Sequence, residues 1–190
     1  MIESIKNIEN FTHIEQTNTG NFSYFNCGPA VCVAAVKYQN NVLDNVTHVR
    51  RRQRGWIFWT FNNIMNMLDN SYVAYRQEVF KDDILPVNDG IVIVNVDMKL
   101  IPQAPIGRSY RALPLIPFKH YLTVIGYNSK NNTYIISDPL ETDLSVCHTD
   151  DLHQAIKAQC TTYLVITAPK VKQQEVVLSY GDDADHGTND

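Results

Sequence analysis

The sequence predicts an α+β domain built on an antiparallel sheet, and three observations predict it. The first helical segment, opening at Cys27, is apolar nearly all round from Ala30 to Val36, as a helix inside a core must be. The strand-like segments gather after the helices rather than alternating with them, which argues against a doubly wound parallel sheet. Two of them, residues 120–127 and 133–137, are joined by Asn128-Ser129-Lys130-Asn131-Asn132, a run of turn formers suited to a hairpin.

Taken in order, residues 1–25 mix polar and aromatic side chains without a period and read as an irregular entry segment. Asn26 is positioned to cap the helix that starts at Cys27, and Pro29 sits in its first turn, where proline is tolerated. Ile57, Phe61, Ile64, Met65 and Leu68 recur at spacings of three and four, predicting a second helix over 56–68. A short strand is expected near 72–75, and one helical turn over 82–85 before Pro86. Residues 91–96, Ile-Val-Ile-Val-Asn-Val, are β-branched and mostly apolar, the pattern of a central strand. Residues 98–118 hold four prolines and Gly107, so regular structure is not expected; loops of that length in compact domains are often functional. A helix over 150–160 and a strand over 162–167 complete the set. The organisation predicted is one domain over 1–170 and a tail over 171–190, acidic and disordered at 181–190, where no apolar residue longer than alanine anchors the chain.

Composition narrows the function classes. With 190 residues, 44% of them hydrophobic, a full core needs no disulfide or metal to hold it. A net charge of −4 offers no basic face for nucleic acid, and Arg50-Arg51-Arg52-Gln53-Arg54 is too short a run to change that. Glu3 and Glu9 interrupt any apolar stretch that a Sec signal would need, and no run approaches the roughly 20 apolar residues of a membrane span. The expectation is a soluble protein, cytoplasmic or exported by a route that does not read a Sec signal. The cysteines at 27, 32, 147 and 160 form no Cys-x-x-Cys pair and suit reduced thiols; Cys27 and Cys32 would point to different helix faces. His148, in Cys147-His148-Thr149-Asp150, has too few potential ligands around it for a metal site, and no metal or organic cofactor is called for. His48 and His153 are expected at the surface, and Trp56 and Trp59 in the core.

Two stretches carry chemistry. In Asn26-Cys27-Gly28-Pro29-Ala30 a thiol opens a helix, where the positive end of the macrodipole and unpaired backbone N–H groups favour thiolate. Gly28 leaves approach to the sulfur clear, and the Cys27 N–H is available to a developing oxyanion. The bland alternative is that Cys27 is a buried small hydrophobe, as most free cysteines are. In the hairpin, a register pairing His120 with Asp138, Leu122 with Ile136 and Val124 with Tyr134 puts a base and its orienter side by side at the open end. A slip of one residue would separate them onto opposite faces. The alternative there is a surface pair contributing under about 1 kcal/mol.

Together these residues resemble the papain-like cysteine peptidases, most closely the bacteriocin-processing (double-glycine) branch and its free-standing relatives. The matching strings are Asn26-Cys27-Gly28-Pro29-Ala30, Lys119-His120-Tyr121-Leu122-Thr123-Val124-Ile125-Gly126-Tyr127 and Tyr134-Ile135-Ile136-Ser137-Asp138-Pro139, and the resemblance spans roughly 10–168. It implies a papain-like fold in which an N-terminal buried helix carrying the cysteine packs on an antiparallel sheet carrying His and Asp. It also implies a Cys27 nucleophile, a His120 base and an Asp138 orienter. The family places a glutamine before the cysteine to complete the oxyanion hole. Gln16 is the only one available, eleven residues upstream, with Asn18, Asn21 and Asn26 as substitutes.

The activity implied is hydrolysis of a peptide bond in a protein or peptide substrate through an acyl-enzyme. A glutamine deamidase or an acyltransferase would use the same three residues. A non-catalytic binding module on this fold is the rival of another class, which the intact set of residues disfavours. Family members that process leader peptides are fused to a transporter, and this chain carries no such segment; a housekeeping peptidase, a phage protein and an effector injected into a host cell all suit a small stand-alone enzyme. In the proline-rich segment, Arg108 and Arg111 are candidates for substrate selection, since guanidinium groups bind carboxylates and carbonyls with fixed geometry. Nothing in the sequence sets the oligomeric state.

Overall fold

The structure, a computed structural model, describes residues 2–3, 10–16, 26–39, 59–102 and 119–167. The elements are β1 (Ile2–Glu3), α1 (Cys27–Tyr38), α2 (Phe61–Asn70), β2 (Tyr75–Val79), β3 (Gly90–Asp97), a 3-10 turn (Met98–Leu100), β4 (Lys119–Asn128), β5 (Thr133–Ser137), β6 (Ser145–His148), α3 (Thr149–Lys157) and β7 (Thr162–Thr167). Every strand pairing is antiparallel, in the order β2-β7-β3-β4-β5-β6, with β1 added to the far end of β4. This is the α+β architecture expected.

The sheet is covered on both faces, which explains why its central strands read as continuous apolar runs. Along β3, Ile91 and Ile93 join the core beneath α1 and α2 with Tyr121, Ile125, Leu164 and Ile166. Val92, Val94 and Val96 join the opposite core with Leu122, Val124, Ile136 and the α3 residues Leu152 and Ile156. Helix α1 is buried almost throughout, from Gly28 to Val36 and at Tyr38. Its first turn has one tight contact: a Cβ at Gly28 would lie 2.7 Å from Trp59 Cβ and 2.8 Å from Trp59 Cγ. Trp59 is core, as expected, and lies directly against the turn that presents Cys27.

Several local expectations are corrected. Residues 2–3 form a strand rather than part of an irregular entry, taking over the side of β4 that β3 leaves beyond Val124. Helix α2 starts at Phe61, where Thr60 and Asn63 form a reciprocal capping box, and runs two residues past Leu68. The strand expected near 72–75 lies at Tyr75–Val79. No helical turn forms over 82–85, because Asp82 adopts a positive φ of 69° that breaks the helical path. The proline-rich segment begins with a 3-10 turn at Met98–Leu100, held by the Asp97 carboxylate on the Lys99 N–H; residues 103–118, with Arg108 and Arg111, lie outside the described residues. So do His48, Trp56, Asn18, Asn21 and the tail. Asn26 makes no side-chain cap on α1.

His153 is buried rather than exposed. Its Nδ1 faces Asp82 at 3.2 Å and its Nε2 faces the Tyr134 hydroxyl at 3.0 Å, while Phe80 packs edge-on against the ring. Burial pulls its pKa below 6.5, against the partly compensating Asp82 charge. His148 caps α3 through its ring nitrogen, which accepts from the Asp150 N–H.

Candidate active site

The open ends of β3, β4 and β5 and the N-terminus of α1 bring the candidate residues to one edge of the sheet. His120 is the second residue of β4, and Asp138 follows the last residue of β5. Their side chains are 2% and 4% exposed, and His120 Nε2 lies 2.6 Å from Asp138 Oδ1.

The register that achieves this differs from the one expected. Val124 pairs with Ile136 and Thr123 with Ser137, a displacement of two residues, and a bulge at Ile125 precedes the pairs Gly126–Ile135 and Tyr127–Tyr134. A shift of two preserves the face, so Leu122, Val124, Ile136 and Tyr134 still share one core. His120 therefore meets Asp138 diagonally across the strand ends rather than directly opposite it. The bulge adds one residue, so Val124 and Tyr127 both contribute to the α3-side core while Ile125 turns to the other.

Cys27 is partly exposed and is the first residue of α1. Burial alone would push its thiol up. The hydrogen bond and charge of His120 outweigh that, with help from the backbone N–H groups of Tyr121 and Gly28, and hold it below 9.0. His120 shows the reciprocal effect. Burial disfavours the imidazolium, but the Asp138 carboxylate and the Cys27 sulfur overcome this and raise it above 6.5. Since Nε2 is taken by Asp138, the ring nitrogen left for the sulfur is Nδ1. Asp138 is desolvated too, yet His120 and the Leu140 N–H, bonded to Oδ1 at 2.9 Å, keep it ionised below its usual 3.8. The other cysteines contrast with Cys27. Burial pushes Cys32 upward, and Cys147 up to about 12.

Gln16 is fully buried, and its backbone N–H bonds the Pro139 carbonyl at 2.8 Å, which draws the 10–16 segment onto the Asp138 turn. Three residues earlier sits His13. His13 is in a loop, but it is pinned: Nε2 lies 2.9 Å from the Glu141 carbonyl and Nδ1 lies 2.7 Å from Ser137 Oγ. A carbonyl only accepts, so Nε2 carries the proton, and in the neutral ring Nδ1 accepts from the Ser137 hydroxyl. The entry segment is thus tied at two points to the turn that holds Asp138. Among the described residues no group of His, Cys, Asp and Glu is arranged to hold a metal ion, and no helix is long and apolar enough to cross a membrane.

No protein-family model and no curated protein matches this sequence. Solved structures do match in shape. The peptidase domain of Streptococcus ComA, a bifunctional ABC transporter involved in quorum sensing, superposes with a TM-score of 0.58 at 17% identity. That match covers 84% of this chain and 99% of that domain. A candidate C39-like peptidase from Bacillus anthracis gives a TM-score of 0.61 at 12% identity, over 86% of this chain and 98% of the other. The chain therefore has the papain-like fold of the C39 peptidase domains, with the helix that opens at Cys27 packed on the antiparallel sheet that carries His120 and Asp138.

Proposed function

We propose that the protein is a cysteine peptidase. Cys27 is the nucleophile, His120 the general base and acid, Asp138 the orienting carboxylate, and Gln16 with the Cys27 N–H the oxyanion donors. The observation that carries this reading is His120 held at 2.6 Å by a buried Asp138 while its other side bonds the Cys27 sulfur. Such an arrangement favours the thiolate–imidazolium pair that nucleophilic acyl transfer needs.

In the reaction, the Cys27 thiolate attacks the substrate carbonyl carbon and forms a C–S bond. Gln16 and the Cys27 N–H stabilise the oxyanion. The His120 imidazolium gives its proton to the leaving nitrogen as the C–N bond breaks. Water then attacks the thioester, His120 takes the proton of that water, and the C–S bond breaks to release the acid and restore the thiolate. The shape match to peptidase domains supports a protein or peptide as substrate.

The test is incubation of wild type and Cys27→Ala with complex lysates, with mass spectrometry of peptide termini. New termini made only by wild type are expected. Conversion of glutamine side chains to acid without new termini would move the assignment to a deamidase, and acyl transfer to a nucleophile other than water would move it to a transferase.

A further inference from the structure

Asn95 breaks the apolar run of β3. It is 8% exposed, and its side-chain oxygen has no hydrogen-bond partner among the described residues. Buried polar atoms are nearly always bonded, so an orphan acceptor in a central strand calls for a reason, and a missing ligand is one. Its position supplies that ligand's address. Alternation along β3 puts Asn95 with Ile91 and Ile93 on the sheet face that α1 covers. In the β3–β4 register Asn95 lies opposite Tyr121, and its neighbour Val96 lies opposite His120. Tyr121 is the residue whose backbone N–H bonds the Cys27 sulfur.

Asn95 thus lies beside Tyr121, one pair from His120 and across β4 from Asp138, because β3 and β5 flank β4 on opposite sides. The neighbouring side chains are aromatic, with Tyr121 and Trp59 in the core and Phe61 partly exposed above them. Phe61 stacks edge-on against Tyr121 at 5.3 Å, and the Tyr121 hydroxyl donates to the Trp59 carbonyl at 3.2 Å. A partly exposed aromatic ring close to an unpaired amide oxygen suits an extended peptide. Its side chain would lie on the ring and its backbone N–H would donate to the amide.

We propose that Asn95 is a substrate-binding residue whose side-chain oxygen accepts a hydrogen bond from a backbone N–H of the peptide lying beside Cys27. The proposal rests on the peptidase reading above and deepens it. The orphan acceptor is then a local cost to stability that substrate binding relieves.

The test compares two thiol reagents on wild type, Asn95→Leu and Asn95→Ala. Methyl methanethiosulfonate reports the intrinsic reactivity of Cys27 and carries no amide. A dipeptidyl chloromethyl ketone reports the same sulfur through a peptide backbone. In both variants the expected result is an unchanged rate with the first reagent and a rate lower by about tenfold with the second, the loss of one hydrogen bond. Asn95→Leu should also raise Tm, since it removes a buried unpaired acceptor. An unchanged ratio of the two rates overturns the proposal. So does a parallel fall in both rates with a lowered Tm, which would make Asn95 a structural residue only. Slow reaction of wild-type Cys27 with both reagents would instead overturn the peptidase reading, and the role of Asn95 with it.

Discussion

Replacing Asp138 by Asn tests the electrostatics of the site while leaving its geometry in place. Asp138 Oδ1 accepts from both His120 Nε2 at 2.6 Å and the Leu140 N–H at 2.9 Å. In Asp138→Asn the amide oxygen can keep both bonds, whereas a flipped amide would turn an NH2 group towards two donors. The imidazole therefore retains its tautomer and aim, and what is lost is charge. Both partners are almost fully buried, so solvent screening is slight. Charge centres about 4 Å apart at an effective dielectric of about 20 interact by about 4 kcal/mol, about three pKa units, and measured shifts from such pairs run from about one to three. The sulfur lies beyond the ring, so removing Asp138 also relieves some repulsion of the thiolate and places the effect on the ion pair below that ceiling. In wild type, a lowered Cys27 and a raised His120 open a wide pH window in which thiolate and imidazolium coexist. Below it the thiol is protonated; above it the imidazole cannot supply a proton to the leaving group. Without the carboxylate the window narrows from both sides, and its limits belong to the pair rather than to either residue. The assay is the rate of Cys27 alkylation by iodoacetamide against pH, read beside peptidase turnover. The expected result is an acid limb moved upward and a neutral-pH rate lower by about 10- to 1,000-fold, milder than loss of Cys27 or His120. A profile superimposable on wild type would refute the electrostatic role. Inactivity as complete as that of His120→Ala would refute the retained tautomer.

Cys27→Ala and His120→Ala should each abolish turnover, the double variant being little worse than either because the groups act as a unit; Cys27→Ala should leave Tm nearly unchanged, whereas His120→Ala should lower it, since it leaves the buried Asp138 without its partner. Gly28→Ala should destabilise by about 1–3 kcal/mol in denaturant unfolding and slow Cys27 alkylation, since its Cβ would press on Trp59 at under 3 Å; an unchanged midpoint would mean that the indole moves aside freely. Gln16→Ala should lower kcat by about 100- to 1,000-fold with KM and alkylation little changed, as expected for a group that acts only on the oxyanion; an equal loss in alkylation would make Gln16 structural.

How much of this was legible depends on the range of the determining interaction. The start of α1 was legible because its causes are local: a proline tolerated in the first turn and an unbroken apolar run behind it. The pairing of His120 with Asp138 was legible for a weaker reason. The hydrophobic pattern fixes which face each strand buries, so any error of register by two residues is invisible to it and harmless to the site. The bulge at Ile125 went unread, although an isolated glycine inside a strand, Gly126, is its usual sign. His153 misled because its partners Asp82 and Tyr134 come from distant segments, and nothing in Asp151-Leu152-His153-Gln154 reports them. The short edge strand β6 went unread for a similar reason, since four residues do not establish a period.

Asn95 and His13 mark the boundary between what pattern reading reveals and what it hides. Asn95 is the one polar residue in the β-branched run of β3, a conflict between local pattern and central-strand burial that the sequence displays but that went unread. Conflicts of that kind concentrate at functional sites, where a local cost is offset by what the site binds. His13 gave no such signal. Its ring is placed by the Glu141 carbonyl and the Ser137 hydroxyl, both more than 120 residues away in sequence. The consequence for the site is mechanical. Gln16 and Asp138 are carried by segments far apart in the chain, but the His13 bonds and the Gln16–Pro139 bond make them one body. If Gln16 and Asp138 act as proposed, their spacing is set by these bonds, and the preorganisation of both groups rests on a histidine that itself takes no part in the proposed chemistry.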